Sequence, residues 1–168
     1  LNLEESVVKW EGGKKVVESN HNGTLKFQSG SFSVQDGQLV GGEFVIDMTS
    51  LANEDLADSP DMQAKLLGHL KSDDFFSVEA NPTASLKVKS VNGANATADL
   101  TIKGITNEVV FPVTIAEENG VVTGSSSFTI DRTKWDVKYG SDSFFEGLGD
   151  KVIKDEIKLD VVVKSKAS

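Results

Sequence analysis

Two histidines, His21 and His69, are the first residues to consider for chemistry, because they are the only imidazoles in the chain. A metal site or a general base needs partner side chains at defined positions. His69 lies in a stretch with helical spacing and has no second histidine four residues further on. His21 lies in the polar segment Asn20–Gly23, which is typical of a bend at the start of a strand. We therefore expect structural or solvent-facing roles for both histidines, and we predict no metal site.

The segment Asp131–Trp135 combines a carboxylate, a guanidinium and an indole within five residues. Arg132 could hold the polar head group of a ligand at the rim of a binding site. More often, an acidic residue beside an arginine orients a loop through charge-assisted hydrogen bonds. Trp135 could likewise cover an opening or lock the loop. The structural interpretation is favoured for this segment, and ligand binding is kept as the alternative.

Acidic pairs such as Glu117-Glu118 and Asp155-Glu156 raise the question of acid–base catalysis. Neighbouring residues on a strand point to opposite faces, so such pairs make poor catalytic dyads. The chain has no cysteine, and its sequence contains no nucleophile elbow, P-loop or dinucleotide fingerprint. We therefore predict that the protein is not an enzyme.

Apolar and polar side chains alternate with a period of two along much of the chain. This alternation indicates half-buried β-strands, which would position the residues named above. The run Asp99–Ile102 is one example. Similar runs along the chain indicate about eight or nine strands of ordinary length. Dipeptides that tolerate the positive φ of tight hairpins separate several of them: Asp36-Gly37, Asn92-Gly93 and Asn119-Gly120.

These patterns predict an all-β fold, in which residues 1–168 form a single domain and an extended antiparallel sheet of eight strands closes into a barrel. Closure removes exposed sheet edges, which favour aggregation. Residues 59–72 break the alternation and have helical spacing. We predict a short amphipathic helix there, with Ser59 as its N-cap and Pro60 at its first position.

Composition excludes several classes of partner. The net charge of -9 repels phosphate backbones, so we expect no nucleic acid partner. No stretch approaches the roughly 20 apolar residues that a membrane-spanning helix needs. The nine phenylalanines outnumber the single tyrosine, which suits a dry and nonspecific apolar interior.

The chain resembles the YceI-like family of bacterial lipid-binding proteins over nearly its whole length, from about Trp10 to Val163. Five segments in order carry the resemblance: Ser19–Thr24, Gly41–Met48, Leu66–Ser72 with the following Phe75-Phe76 and Pro82, Asp99–Thr106, and Asp131–Trp135. The resemblance implies a lipocalin-like barrel that holds a polyisoprenoid, an isoprenoid quinone or a fatty-acid derivative in its lumen. No other cofactor is expected.

The resemblance also implies a bacterial protein that is periplasmic, anchored at the cell surface or secreted, although no signal peptide is visible in the printed chain. It is compatible with a membrane cytochrome or another membrane protein as partner. A homodimer is kept among the expected assemblies.

Candidate binding residues fall into two groups. Those that share the apolar inner face would line the lumen: Phe27, Phe44, Ile46, Leu100, Ile102, Phe111, Phe128 and Ile130. Those that would cover the mouth or form its rim are Leu66, Leu67, Leu70, Phe75, Phe76, Arg132 and Trp135. The alternative is that both groups are ordinary core, since alternation shows which residues share a face but not whether that face encloses a cavity.

The leading hypothesis is therefore a noncatalytic carrier of a long apolar amphiphile. The alternative is a structural or interaction barrel that acts through its surface and has no small ligand. A third hypothesis, a hydrolase acting on lipids, has less support, because neither histidine has an evident partner in the sequence.

Overall fold

The computed structural model describes residues 2–14, 19–72, 75–138 and 154–165. Nine antiparallel strands form one sheet within these ranges. The strands are β1 (Val7–Lys14), β2 (Ser19–Gln35), β3 (Gln38–Asn53), β4 (Thr83–Asn92), β5 (Asn95–Ile102), β6 (Ile105–Pro112), β7 (Thr114–Glu118), β8 (Val121–Asp131) and β9 (Glu156–Lys164). Helix α1 (Pro60–Lys71) follows β3, and a short 3-10 helix (Arg132–Trp135) follows β8.

The order of strands in the sheet is β6-β5-β4-β3-β2-β1-β9-β8-β7. The two outermost strands, β6 and β7, are consecutive in the chain, and only Val113 separates them. At that point the chain leaves its partner β5, which begins at Asn95 opposite Pro112. It then pairs with β8, where Thr114 lies opposite Ser125. One continuous run thus joins the two ends of the sheet, which explains nine strands where eight were predicted.

The predicted hairpin turns are confirmed. Asp36 and Gly37 have φ angles of 55° and 76° between β2 and β3, and Gly93 has a φ of 63° between β4 and β5. Asn119 and Gly120 have positive φ angles of 53° and 80°, as primed hairpin turns require.

The two longest strands, β2 with 17 residues and β3 with 16, do not pair evenly. Their register shifts at three places, between Thr24 and Lys26, between Phe27 and Ser29, and between Ser33 and Val34. Bulges of this kind bend a strand and increase its twist. They let the sheet curl around an apolar interior, and the all-β antiparallel barrel fold is confirmed.

Helix α1 begins at Pro60, as predicted, and Asp61 lies in its first turn. The predicted cap is wrong in one respect, because the Ser59 side chain makes no capping hydrogen bond. The helix has no fully buried residue, and Met62 is 60% exposed. It therefore lies on the barrel as a cover rather than as part of a continuous core.

Candidate ligand-binding site

A cavity of about 290 Å³ occupies the interior between the sheet and α1. Inward-facing residues of seven strands, β1 to β5 with β8 and β9, form most of its wall. We call this cavity the main chamber. Its volume is close to the lower end of the range for small-molecule sites, about 300–1,000 Å³. An apolar chamber of this size can hold a slender hydrocarbon chain.

A smaller cavity of about 60 Å³ lies beyond the main chamber. We call it the small chamber. Four of the described residues line both chambers and lie at the boundary between them, which we call the constriction: Phe27, Leu86, Phe128 and Val161. Further aromatic rings support this constriction, since Phe27 lies 5.8 Å from Phe44 between ring centroids and Phe128 stacks on Phe111 at 4.9 Å.

The two chambers lie towards opposite ends of the barrel. The main chamber extends to the end where β1, β3 and β8 finish, which is covered by α1 and which we call the mouth. The small chamber is lined by Leu39 and Val88, which lie near the hairpins at the other end. The lumen is therefore elongated and has a mouth and an inner end.

The residues predicted to line the lumen are divided between the chambers. Six line the main chamber: Phe27, Ile46, Leu100, Ile102, Phe128 and Ile130. The other two, Phe44 and Phe111, line the small chamber instead. Their position follows from strand direction, because both lie on the inner face but nearer the hairpin end.

The residues predicted to cover the mouth are also divided. Five contribute to the wall of the main chamber: Leu66, Leu70, Phe75, Phe76 and Arg132. Leu67 and Trp135 line neither chamber. Leu67 is next to Leu66 on the helix and so points about 100° away from it. Trp135 is 2% exposed and packs in the core beside the chamber.

Arg132 is buried, with 2% of its surface exposed. Its Nε donates to the carbonyl oxygen of Lys154 at 2.9 Å, and its Nη1 donates to that of Val137 at 2.7 Å. Its guanidinium also lies over the ring of Phe75, 5.5 Å from the centroid. Burial lowers the pKa of Arg132, while the nearby carboxylate of Asp155 acts in the opposite direction. Through these contacts the guanidinium links three segments at the mouth, which contain Phe75, Val137 and Lys154.

The Asp131 side chain orients the turn that follows it. Its carboxylate accepts from the backbone N–H of Thr133 at 3.0 Å and from the Thr133 hydroxyl at 2.5 Å. It thereby caps the 3-10 helix. The motif is thus a folded turn, and its indole, Trp135, donates to the Leu100 carbonyl oxygen at 2.9 Å.

Both histidines line the main chamber at the mouth, which the sequence did not reveal. His21 Nδ1 lies 2.7 Å from the Asp55 carboxylate, and the His69 ring meets the Phe75 ring edge-on at 4.8 Å. Partial burial alone would raise the pKa of Asp55. Hydrogen bonds from the Asn22 backbone, from His21 and from Asn53 outweigh burial and lower the pKa of Asp55 below its ordinary 3.8.

Several wall residues were missing from the predicted set, although they belong to the same alternating pattern. They include Val8, Trp10, Leu25, Met48, Leu51, Ala84, Leu86, Ile157, Leu159 and Val161. Alternation on β3 and β9 could have identified Met48, Ile157, Leu159 and Val161. Gly12 and Gly13 carry no apolar side chain, so only the fold places them in the wall.

Within the described ranges, no group of three or more histidine, cysteine, aspartate or glutamate residues could hold a metal ion. In the same part of the chain, no helix is long and apolar enough to cross a membrane.

Among curated proteins, the chain is similar to a UPF0312 protein of Staphylococcus aureus strain USA300. The two are 41% identical over a segment that covers 42% of this chain and 46% of the relative. A UPF0312 protein of Staphylococcus epidermidis is 40% identical over the same shares. The chain therefore matches about half the length of these relatives.

Two solved structures that are similar in fold cover nearly the whole chain. The crystal structure of BcnA from Burkholderia cenocepacia has a TM-score of 0.74 at 20% identity and covers 99% of both chains. A polyisoprenoid binding domain from Saccharophagus degradans, implicated in plant cell wall breakdown, has a TM-score of 0.69 at 15% identity and covers 100% of this chain and 97% of its own. The family model of the YceI-like domain matches residues 1–165, so this protein belongs to the YceI-like family.

Proposed function

We propose that this protein is a noncatalytic binding protein for a long apolar amphiphile, which it holds in the barrel lumen for carriage, storage or sequestration. The observation that carries the proposal is the main chamber of about 290 Å³, which is lined mostly by hydrocarbon. The ligand classes that fit are a polyisoprenoid, an isoprenoid quinone and a fatty-acid derivative.

The elongated lumen supports a chain-like ligand over a compact one. Each CH₂ group moved from water into the chamber contributes about 0.8 kcal/mol before the cost of ordering the chain. A ligand with many such groups needs no charged anchor inside the barrel. The similarity in fold to a polyisoprenoid binding domain supports an isoprenoid as the first class to test.

The mouth supports a reversible cover over the ligand. Leu66 and Leu70 of α1 line the chamber from outside the sheet, together with Phe75 and Phe76 in the loop that follows. No residue of α1 is fully buried. Few buried apolar contacts favour local opening of a segment. We infer that a ligand reaches the lumen past α1.

The alternative of an interaction barrel without a small ligand predicts a lumen filled by side chains. The volume of the main chamber favours the binding function over that alternative.

Native mass spectrometry tests the proposal. Protein purified without detergent from a bacterial host is expected to carry a lipid, at up to one molecule per chain, that organic solvent releases. Delipidated protein is expected to bind geranylgeraniol, an isoprenoid alcohol, with the same stoichiometry. A spectrum of bare protein together with no binding of geranylgeraniol up to its solubility limit would contradict the proposal.

A further inference from the structure

The small chamber continues the lumen past the constriction towards the inner end. Fifteen of the residues that the structure describes line it, and twelve of these are apolar. The remaining three are consecutive on β8: Gly124, Ser125 and Ser126. No charged side chain is among these lining residues. Any ligand atom that reaches the chamber therefore meets hydrocarbon on most sides and hydroxyl-bearing residues on one.

Ser126 presents an unusual hydroxyl in this chamber. Within the described ranges, its Oγ is the one buried side-chain oxygen or nitrogen without a hydrogen-bond partner. Alternation along β8 places Ser126 on the same face as Phe128 and Ile130, both of which line the main chamber. Ser127, on the opposite face, is exposed and donates to the Asp160 carboxylate. Ser126 therefore points into the lumen.

A buried hydroxyl without a partner is destabilising, so its presence in an apolar wall calls for a reason. An internal water is a poor candidate, because a buried water needs two to four polar partners. The chamber is too apolar to supply them readily, since twelve of the fifteen described residues that line it are apolar. A ligand atom needs only the one hydrogen bond that Ser126 offers.

We propose that the small chamber receives the inner end of the ligand chain, and that Ser126 Oγ hydrogen-bonds a neutral oxygen group there, either a hydroxyl or a carbonyl. The inference rests on the proposed function and specifies its ligand further. The group must be neutral because burying an unpaired charge among these residues is far more costly. It must be small because the chamber holds only about 60 Å³.

The position of the constriction makes this site selective. A chain must pass Phe27 and Phe128 to reach Ser126. A linear end with one oxygen needs less displacement of these rings than a branched or cyclic end. The site would thus distinguish ligands by the chemistry of the chain end that lies furthest from the mouth.

The test compares two probes with the same carbon chain, hexadecane-1,16-diol and hexadecane, in the wild-type protein and in Ser126→Ala. The diol has a hydroxyl at its inner end whichever end enters first, whereas hexadecane never has one. Dissociation constants are measured by displacement of N-phenyl-1-naphthylamine from delipidated protein. Ser127→Ala is the matched control, because it removes a hydroxyl from the same strand on the outer face.

Ser126→Ala is expected to weaken binding of the diol about two- to tenfold, which is the range for one hydrogen bond. Binding of hexadecane is expected to stay unchanged or to tighten, and Ser127→Ala should affect neither probe. An equal effect of Ser126→Ala on both probes would overturn the inference and leave the proposed function standing. If neither probe binds and geranylgeraniol does not bind either, the inference and the proposed function are both refuted.

Discussion

The indole Nε1 of Trp135 donates a hydrogen bond to the carbonyl oxygen of Leu100 over 2.9 Å. Trp135 ends the 3-10 helix after β8, whereas Leu100 lies on β5 and lines the main chamber with its side chain. The bond therefore joins the turn that follows β8 to β5, a strand near the opposite end of the sheet. It explains why this tryptophan is buried beside the lumen but does not line it.

Replacement of Trp135 should lower the stability of the folded protein. Trp135→Phe removes the donor, leaves the Leu100 carbonyl without it and opens a void in the core. We expect the free energy of unfolding to fall by about 2–4 kcal/mol. Urea denaturation at an unchanged m-value measures this. Val110→Ala, at a side chain that is 62% exposed, should stay within about 0.5 kcal/mol. A similar small loss for Trp135→Phe would mean that the bond is dispensable.

Gly23 should not tolerate a side chain. A Cβ at this position would lie 1.8 Å from the Ala52 carbonyl oxygen and 2.8 Å from the Trp10 ring. Gly23→Ala is therefore expected to destabilise the protein by about 3 kcal/mol or more, at the upper end for an inserted group. In Gly41→Ala the new Cβ meets nothing within 4 Å, so stability should hold or rise. Thermal unfolding of the two variants distinguishes them, and equal midpoints would show that β2 and β3 can separate freely here.

Gly12 offers a way to block the lumen without disturbing the sheet. It lines the main chamber, and a Cβ there would meet nothing within 4 Å. Gly12→Leu should fill part of the mouth and weaken geranylgeraniol binding about tenfold or more, because inserted methylenes in a filled site cost about 1–3 kcal/mol.

Gly41→Leu is the control for this experiment, since Gly41 is also an unobstructed strand glycine but lines neither chamber. Its binding should match that of the wild type. If Gly12→Leu binds geranylgeraniol as tightly as Gly41→Leu does, the ligand does not occupy the main chamber.

The hydrogen bonds to Asp55 should make stability depend on acidity. Because the folded pKa of Asp55 lies below its ordinary 3.8, its ionised form stabilises the folded state above that pH. This contribution is lost as pH falls below 3.8 through the folded pKa. Unfolding free energies from pH 6 to about pH 2.5 should fall less steeply for Asp55→Asn than for the wild type. Asp58→Asn, at an exposed site in the same loop, should reproduce the wild-type slope, and a wild-type slope for Asp55→Asn would contradict the prediction.

The architecture could be predicted from the sequence because it depends on local rules. Alternation with a period of two identifies strands and their inner faces. Asp36-Gly37 and Asn119-Gly120 adopt the positive φ angles that tight hairpins need, and these turns make neighbouring strands antiparallel. The helix at Pro60 follows from the change to helical spacing. The strand number was harder, because the division at Val113 arises from a change of pairing partner, while the alternation of Phe111, Val113 and Ile115 continues through it.

The site could be predicted only in part, because its geometry depends on which distant parts of the chain the fold brings together. Alternation placed Phe44 and Phe27 on one face, but only strand direction in the curled sheet assigns Phe44 to the small chamber alone and Phe27 to both. The pairing of His21 with Asp55 joins residues 34 positions apart in the chain. No rule of sequence spacing predicts a contact over that separation.

The sequence by itself determined that this chain forms an antiparallel β-structure with an apolar inner face, because the period of a pattern reports directly which side chains share a face. Tertiary structure alone decided that this face encloses two chambers. It also decided that Arg132 bonds to backbone carbonyls at the mouth and that Ser126 lies buried with no hydrogen-bond partner among the described residues. Volume and hydrogen bonding depend on distances between segments far apart in the chain, and these distances exist only once the sheet has curled around its interior.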